Sequence, residues 1–243
     1  MIRALARQRV CFAFATVCLA ALGLRMPAHA EALNEDSARR VANEVRLLVG
    51  EGTGVINDLQ PAINGGKVVK SEATPDALVA QFKARYEKAA GAPFDPRAPG
   101  ALGEARRAYL NSFTAVVTRF QPIIDRGGQD AFVPAFFRAQ VLKHFNQQMQ
   151  GTLQAYATNR DNELINTEWS VQTVMKGSPL AAEVKELMGA GGLEPVVKRS
   201  GNTMMGYYPM KLAPGCVSCH ARNGLKQTEG GFGGVLVAEI PIK

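Results

Sequence analysis

Thr203-Met204-Met205-Gly206-Tyr207-Tyr208-Pro209-Met210-Lys211-Leu212 reads as a β-strand, and Gly233 to Ile242, with Val235, Val237 and Ile240 apolar, reads as another. Ser200-Gly201-Asn202 supplies turn residues before the first of these, and Pro195 to Lys198 reads as the strand ahead of that turn. Further upstream, Leu153 to Ala157 alternates as a strand does. Several short strands joined by tight turns favour a mostly antiparallel sheet. Asn162 to Met175 reads as a loop and then a helix around Trp169, the single tryptophan, and Leu180 to Met188 as a short helix ending at Gly189.

The front half has a different texture. Asp36 or Ser37 can cap a helix to about Leu59, carrying Val41, Val45, Leu48, Val55 and Leu59 near helical spacing. Gly50, Gly52 and Gly54 weaken its middle, and Pro61 with Gly65-Gly66 is expected to end it. Thr74-Pro75 places an N-cap before a proline at the first helical position and opens a helix to about Ala90. The proline- and glycine-rich stretch 91–103 reads as a loop. Glu104 to Phe120 is helical, with Pro122 and Gly127-Gly128 expected to break it, and a further helix runs from about Asp130 to Met149. Helices first and a sheet afterwards give an α+β class. With no clear linker, the mature chain reads as one unit with a helical N-terminal region, residues 31–129, ahead of residues 130–243.

Residues 1–30 read as an address. Arg3, Arg7 and Arg9 precede a charge-free apolar run from Val10 to Leu24, and Ala28 and Ala30 are the small residues of a cleavage site. At about 1.5 Å per residue the run is too short for a hydrocarbon core of about 30 Å. The pattern is that of a secretory signal peptide cut after Ala30. Val17 before Cys18 is not the small residue that lipoprotein processing prefers, and there is no twin-arginine pair. The expected product is exported and soluble, periplasmic in a Gram-negative source, with no stable membrane span. Removing the four arginines of residues 1–30 from 28 basic residues leaves 24 against 21 acidic ones, a net charge of +3. That is too weak a bias to argue for nucleic acid.

Of four cysteines, Cys11 and Cys18 leave with the signal, and the mature chain keeps Cys216-Val217-Ser218-Cys219-His220. Two thiols at this spacing on one helical turn can both reach the vinyl groups of a haem edge and become thioethers, which sets the adjacent histidine under the iron. Covalent attachment takes place after export, in keeping with the signal. The sequence thus points to one covalent haem c at Cys216 and Cys219, with His220 as the proximal iron ligand. Two other uses of the spacing fit this sequence less well. A thioredoxin-like redox pair follows the first strand of a βαβ unit, which Leu212-Ala213-Pro214-Gly215 does not resemble. A structural zinc needs a fourth ligand, and the only other histidine of the mature chain is His144.

Several blocks of the back half occur in an order that resembles the Tll-type c-haem domain family, a domain of unknown function with a PAS-like sheet, found alone or as the sensor part of bacterial signalling proteins. Phe137-Arg138-Ala139-Gln140-Val141 with Phe145 resembles its helix before the sheet, and Asn159-Arg160-Asp161-Asn162 through Asn166 to Glu168-Trp169 is similar to its Arg-Asn-Pro…Asn stretch. Tyr207-Tyr208-Pro209 before Cys216 resembles its approach to the C-x-x-C-H motif, and Gly230 to Pro241 its closing turn and strand. The resemblance covers about residues 130–243 and implies a c-haem-binding PAS-like domain. Asp161 stands where that family has proline, Glu168 precedes Trp169 rather than following it, and Ala221 replaces a glycine after the haem histidine. A sixth ligand from an N-terminal helix, Cys or Met in some relatives, has no counterpart, because residues 31–143 contain no Cys, Met or His.

Opposite His220, the available donors are His144, a methionine such as Met204, Met205 or Met210, a lysine, a tyrosine, or water. His144 follows Val133, Phe137 and Val141 at steps that keep one helix face, so it is either a core histidine or the distal ligand. Met204 and Met210 share one strand face and Met205 takes the other. Lys211, Arg222 and Lys226 can pair with haem propionates or simply face solvent. Two functions follow. The first is a sensing or ligand-binding module that takes a small gaseous or redox ligand at the iron and passes its signal to a separate protein partner. The alternative is a monohaem c-type cytochrome that carries electrons to a redox partner, although small cytochromes place C-x-x-C-H early and a methionine later. An enzyme such as a peroxidase needs distal acid/base groups, and nothing in the sequence specifically supports one.

Overall fold

The helical half begins with the cap. In this computed structural model, which describes residues 32–127, 134–150, 152–159, 194–214, 216–217, 221 and 229–243, the side chain of Asn34 accepts the Ser37 N–H at 2.9 Å and opens α1 (Glu35–Asn64). The cap is therefore Asn34 rather than Asp36 or Ser37, and Glu35 and Asp36 instead sit in the first turn, where they oppose the helix dipole. Thr74 accepts the Ala77 N–H and Pro75 starts α2 (Pro75–Ala90), as its sequence indicates. Gly91, at φ 64°, closes that helix in the left-handed conformation. Then come α3 (Gly100–Arg126) and α4 (Pro134–Gln148).

Two prolines expected to end helices do not. α1 continues through Pro61 to Asn64, and α3 through Pro122 to Arg126. In each case the turn beyond the proline carries a fully buried residue, Ile63 and Ile124, and a backbone bond closes the end: Gly65 N–H to Pro61 C=O, and Gly127 N–H to Ile123 C=O. Apolar burial offsets the missing N–H. The glycines of α1 do not interrupt it either, because two of them receive side chains. The Tyr109 hydroxyl occupies the notch at Gly52, and the Arg85 guanidinium lies over Gly54, where it pairs with Glu51 and Asp58.

The helices share an aromatic core. Phe82 stacks on Phe113 at 5.2 Å and meets Phe94 edge-on at 5.4 Å, while Tyr109 packs against Phe145 and Phe113 against Phe137. An ion pair lies inside it. Arg106 donates from both Nε and a terminal nitrogen to the two oxygens of buried Glu44, and the Tyr86 hydroxyl donates to Glu44 at 2.6 Å. This ties α1, α2 and α3 together.

The sheet contains β1 (Gln154–Asn159), β2 (Val196–Ser200), β3 (Thr203–Lys211) and β4 (Phe232–Pro241) in the order β1-β4-β3-β2, every neighbouring pair antiparallel. Gly201, at φ 58°, and Asn202 form the two-residue turn from β2 to β3. Met204, Tyr208, Leu236, Ala238 and Ile240 project into the helical core, and α1 crosses β3 and β4 while α4 packs on β1. Met205, Tyr207, Val235 and Val237 alternate with them and are buried as well, so the two central strands are covered on both faces. Lys243 N–H donates to Leu33 C=O, and Leu33 bridges Ile242, which fastens the two ends of Glu31–Lys243, one compact unit. The architecture is α+β, four helices and a four-stranded antiparallel sheet among the described residues. The elements expected over residues 162–175 and 180–188 lie outside them, as does the start of the helix expected from Asp130.

Candidate functional site

The motif leaves the sheet at a pinned point. After a register shift at Met210/Lys211, Leu212 donates its N–H to Gly231 C=O at 2.8 Å and accepts the Gly230 N–H at 2.9 Å. The segment between them starts and finishes on neighbouring central strands with its ends clasped. Leu212 is buried against Gly233, where a Cβ would collide with its side chain. Ala213 C=O then accepts the N–H groups of Cys216 at 2.9 Å and Val217 at 3.2 Å, and the backbone at Pro214, Cys216, Val217 and Ala221 is helical. Cys216 is partly exposed and in no disulfide among the described residues. Cys219, His220, Arg222 and Lys226 lie outside those residues, and among the described ones no three His, Cys, Asp or Glu side chains gather as a metal site.

The candidate distal ligands fall in different places. His144 is partly exposed, on the flank of a buried α4 stripe made by Phe137, Val141, Leu142 and Phe145. That stripe is rotated away from His144 relative to the face counted from the sequence. Met204 is fully buried in the helical core and Met210 packs against that core, whereas Met205 is buried on the opposite face, as strand alternation requires. Lys211 is exposed.

Arg138 is the one charged residue among Phe137-Arg138-Ala139-Gln140-Val141. It stands one turn before Leu142 and two before Phe145, within the buried stripe of α4. The residue as a whole is partly exposed, but its Nε is sealed from solvent. Burial pulls the guanidinium pKa down, and nearby Cys216 and Tyr109 push it back up. Burial likewise raises the pKa of the Tyr109 hydroxyl. The signal available in the sequence was a lone cation at core spacing inside Phe137-Arg138-Ala139-Gln140-Val141. Tyr208, two residues before Met210, donates to Asn43 at 3.1 Å beneath the Arg46 guanidinium, and its burial raises its pKa.

No family model matches the chain, and comparison with curated proteins and with solved structures finds no match. No helix among the described residues is long and apolar enough to cross a membrane.

Proposed function

We propose that this chain is an exported c-type haem protein that works as a sensing or ligand-binding module, its haem held by thioethers from Cys216 and Cys219 with His220 as proximal ligand. The observation that carries the reading is Cys216-Val217-Ser218-Cys219-His220 opening on a helical turn, its first cysteine free and partly exposed. A helical turn is what brings the first and fourth residues of such a motif to one side. The clasp at Leu212, Gly230 and Gly231 holds that turn against the two central strands. The strand order β1-β4-β3-β2, all antiparallel with helices on one face, supports the PAS-like part of the reading and the resemblance to the Tll-type c-haem domain family. The haem would supply an iron centre able to change oxidation state and to take a small exogenous ligand. The chain's part would be to hold the macrocycle edge at the two sulfurs and to present His220 to the iron.

The test is expression of the full chain with a c-type maturation system. Haem stain should survive denaturing electrophoresis, and the mature N-terminus should be Glu31. Changing both Cys216 and Cys219 to alanine should release the colour to acid-acetone, and His220→Ala should abolish the native Soret band. Rapid CO or NO uptake by the ferrous protein supports ligand sensing, whereas an inert, low-spin six-coordinate iron would move the reading to an electron carrier. A wild-type protein whose colour extracts with acid-acetone would defeat the covalent assignment.

A further inference from the structure

We propose that the front half of α1 is a docking surface for a carboxylate-rich face of a separate protein, with Arg39, Arg40 and Arg46 as its contacts. This gives a place and a chemistry to the partner that a sensing module needs, and it uses none of the haem residues. α1 carries three cations, all within its first twelve positions. Helix stability does not ask for them there: the dipole favours cations at the other end, and the last turn of α1 has none. The acids of the same helix are matched to other elements. Glu35 pairs with Arg199, Glu44 with Arg106, and Glu51 and Asp58 both with Arg85. Asp36, the remaining acid, stands one turn from Arg40, whose guanidinium turns instead to Ser37 Oγ at 3.1 Å. Among the described residues no carboxylate lies within ion-pair distance of Arg39, Arg40 or Arg46.

All three arginines are exposed, yet each is held at one point. Arg39 donates to Val197 C=O at 3.1 Å, Arg40 is tied to Ser37, and Arg46 lies over the Tyr208 ring at 5.9 Å, beside the Tyr208–Asn43 hydrogen bond. Arg39, Asn43 and Arg46 follow at steps of four and three, so they share a face along about 10 Å of helix. A guanidinium has five N–H donors in a planar fork, so each keeps donors for a carboxylate after its single contact. Side chains already held lose less entropy when a partner docks. Charge and shape select the occupant. Three cations next to Glu35 and Asp36 are too few for the continuous basic stripe that tracks a phosphate backbone. A membrane surface calls for an apolar side chain to insert beside the cations. The only large apolar side chain left exposed among the described residues is Val69, beyond the end of α1, which lies about 27 Å along the helix axis from Arg46. A protein face with a few carboxylates meets the three forks by charge-assisted hydrogen bonds. Such a contact forms fast and weakens with salt.

The experiment is fluorescence anisotropy of labelled polyglutamate titrated at low salt with the full chain. One variant carries Arg39→Gln, Arg40→Gln and Arg46→Gln. A control of equal charge carries Lys67→Gln, Lys70→Gln and Lys88→Gln, three exposed cations outside this face. The arginine variant should bind about tenfold more weakly than wild type, and the control should bind nearly as wild type does. No binding by wild type, or an equal loss in both variants, overturns the proposal. So does tighter binding of wild type to duplex DNA, or to vesicles of equal parts phosphatidylcholine and phosphatidylglycerol, than to polyglutamate. If losing the Arg39 bond to Val197 disturbs β2, the variant with only Arg40→Gln and Arg46→Gln replaces the triple one. It should keep most of the loss, and wild-type affinity in a folded double variant overturns the proposal. These readings do not depend on haem, so failure of the covalent-haem reading, a wild-type chain that takes no covalent haem, is a separate result.

Discussion

Gly52 faces the Tyr109 hydroxyl across a gap that any Cβ would fill. Gly52→Ala should therefore destabilise the protein by about 1–3 kcal/mol through overpacking, despite the better helix propensity of alanine. Urea unfolding of the single and double variants checks this, with Tyr109→Phe expected to relieve part of the penalty by removing the oxygen closest to the new methyl. The Glu44–Arg106–Tyr86 cluster makes a second prediction, this one in pH. Burial, then the hydrogen bond to Glu44, raises the Tyr86 pKa from 10.0 to about 12. Because the folded value lies above the unfolded one, the stabilisation is whole below pH 10 and is lost as pH rises toward about 12. Stability measured across that window should fall less steeply in Tyr86→Phe than in wild type, and equal slopes would count against the cluster. Breaking the pair itself, by Glu44→Gln, should cost about 3–5 kcal/mol. The Cys216-Val217-Ser218-Cys219-His220 spacing could be read as a motif because its residues are adjacent in the sequence. Glu44 and Arg106 lie 62 residues apart, so no local pattern could announce their meeting.

At the level of elements, local chemistry was readable wherever it acted alone. Thr74-Pro75 fixed the start of α2, and Ser200-Gly201-Asn202 fixed the β2–β3 turn, because an N-cap and a positive-φ turn depend on a few adjacent residues. Thr74→Ala should accordingly cost about 1 kcal/mol and Thr74→Ser much less, as read by thermal or urea unfolding. A Thr74→Ala protein as stable as wild type would mean that the cap bond contributes nothing. Pro61 and Pro122 show where such reading stops. Each is a helix breaker by its own chemistry, yet Ile63 and Ile124 beyond them are fully buried, and tertiary burial outweighs the local rule. Sheet order escaped the sequence for the same reason. The strands were visible as apolar runs between turns, whereas the pairing of β1 with β4 joins residues about eighty positions apart, Gln154 with Glu239.

For the whole chain the question is whether residues 130–243 can stand without the helices before them. The packing says that they cannot. α1 crosses β2, β3 and β4, and the side chains beneath the helical layer include Met204, Tyr208, Leu236 and Ile240, all nearly or fully buried. α4 remains in the shorter chain but packs on β1, at the far edge from β2. Exposing a large apolar side chain costs about 1.5–3 kcal/mol, so uncovering four of them consumes most or all of the roughly 5–15 kcal/mol that keeps an ordinary domain folded. The strap of Lys243 and Ile242 on Leu33 would be lost too. The expected result is that residues 31–243 unfold in one cooperative transition, while residues 130–243 bind a hydrophobic dye and melt without cooperativity. A fragment with native near-ultraviolet dichroism and a sharp transition would show the helical region to be an appendage.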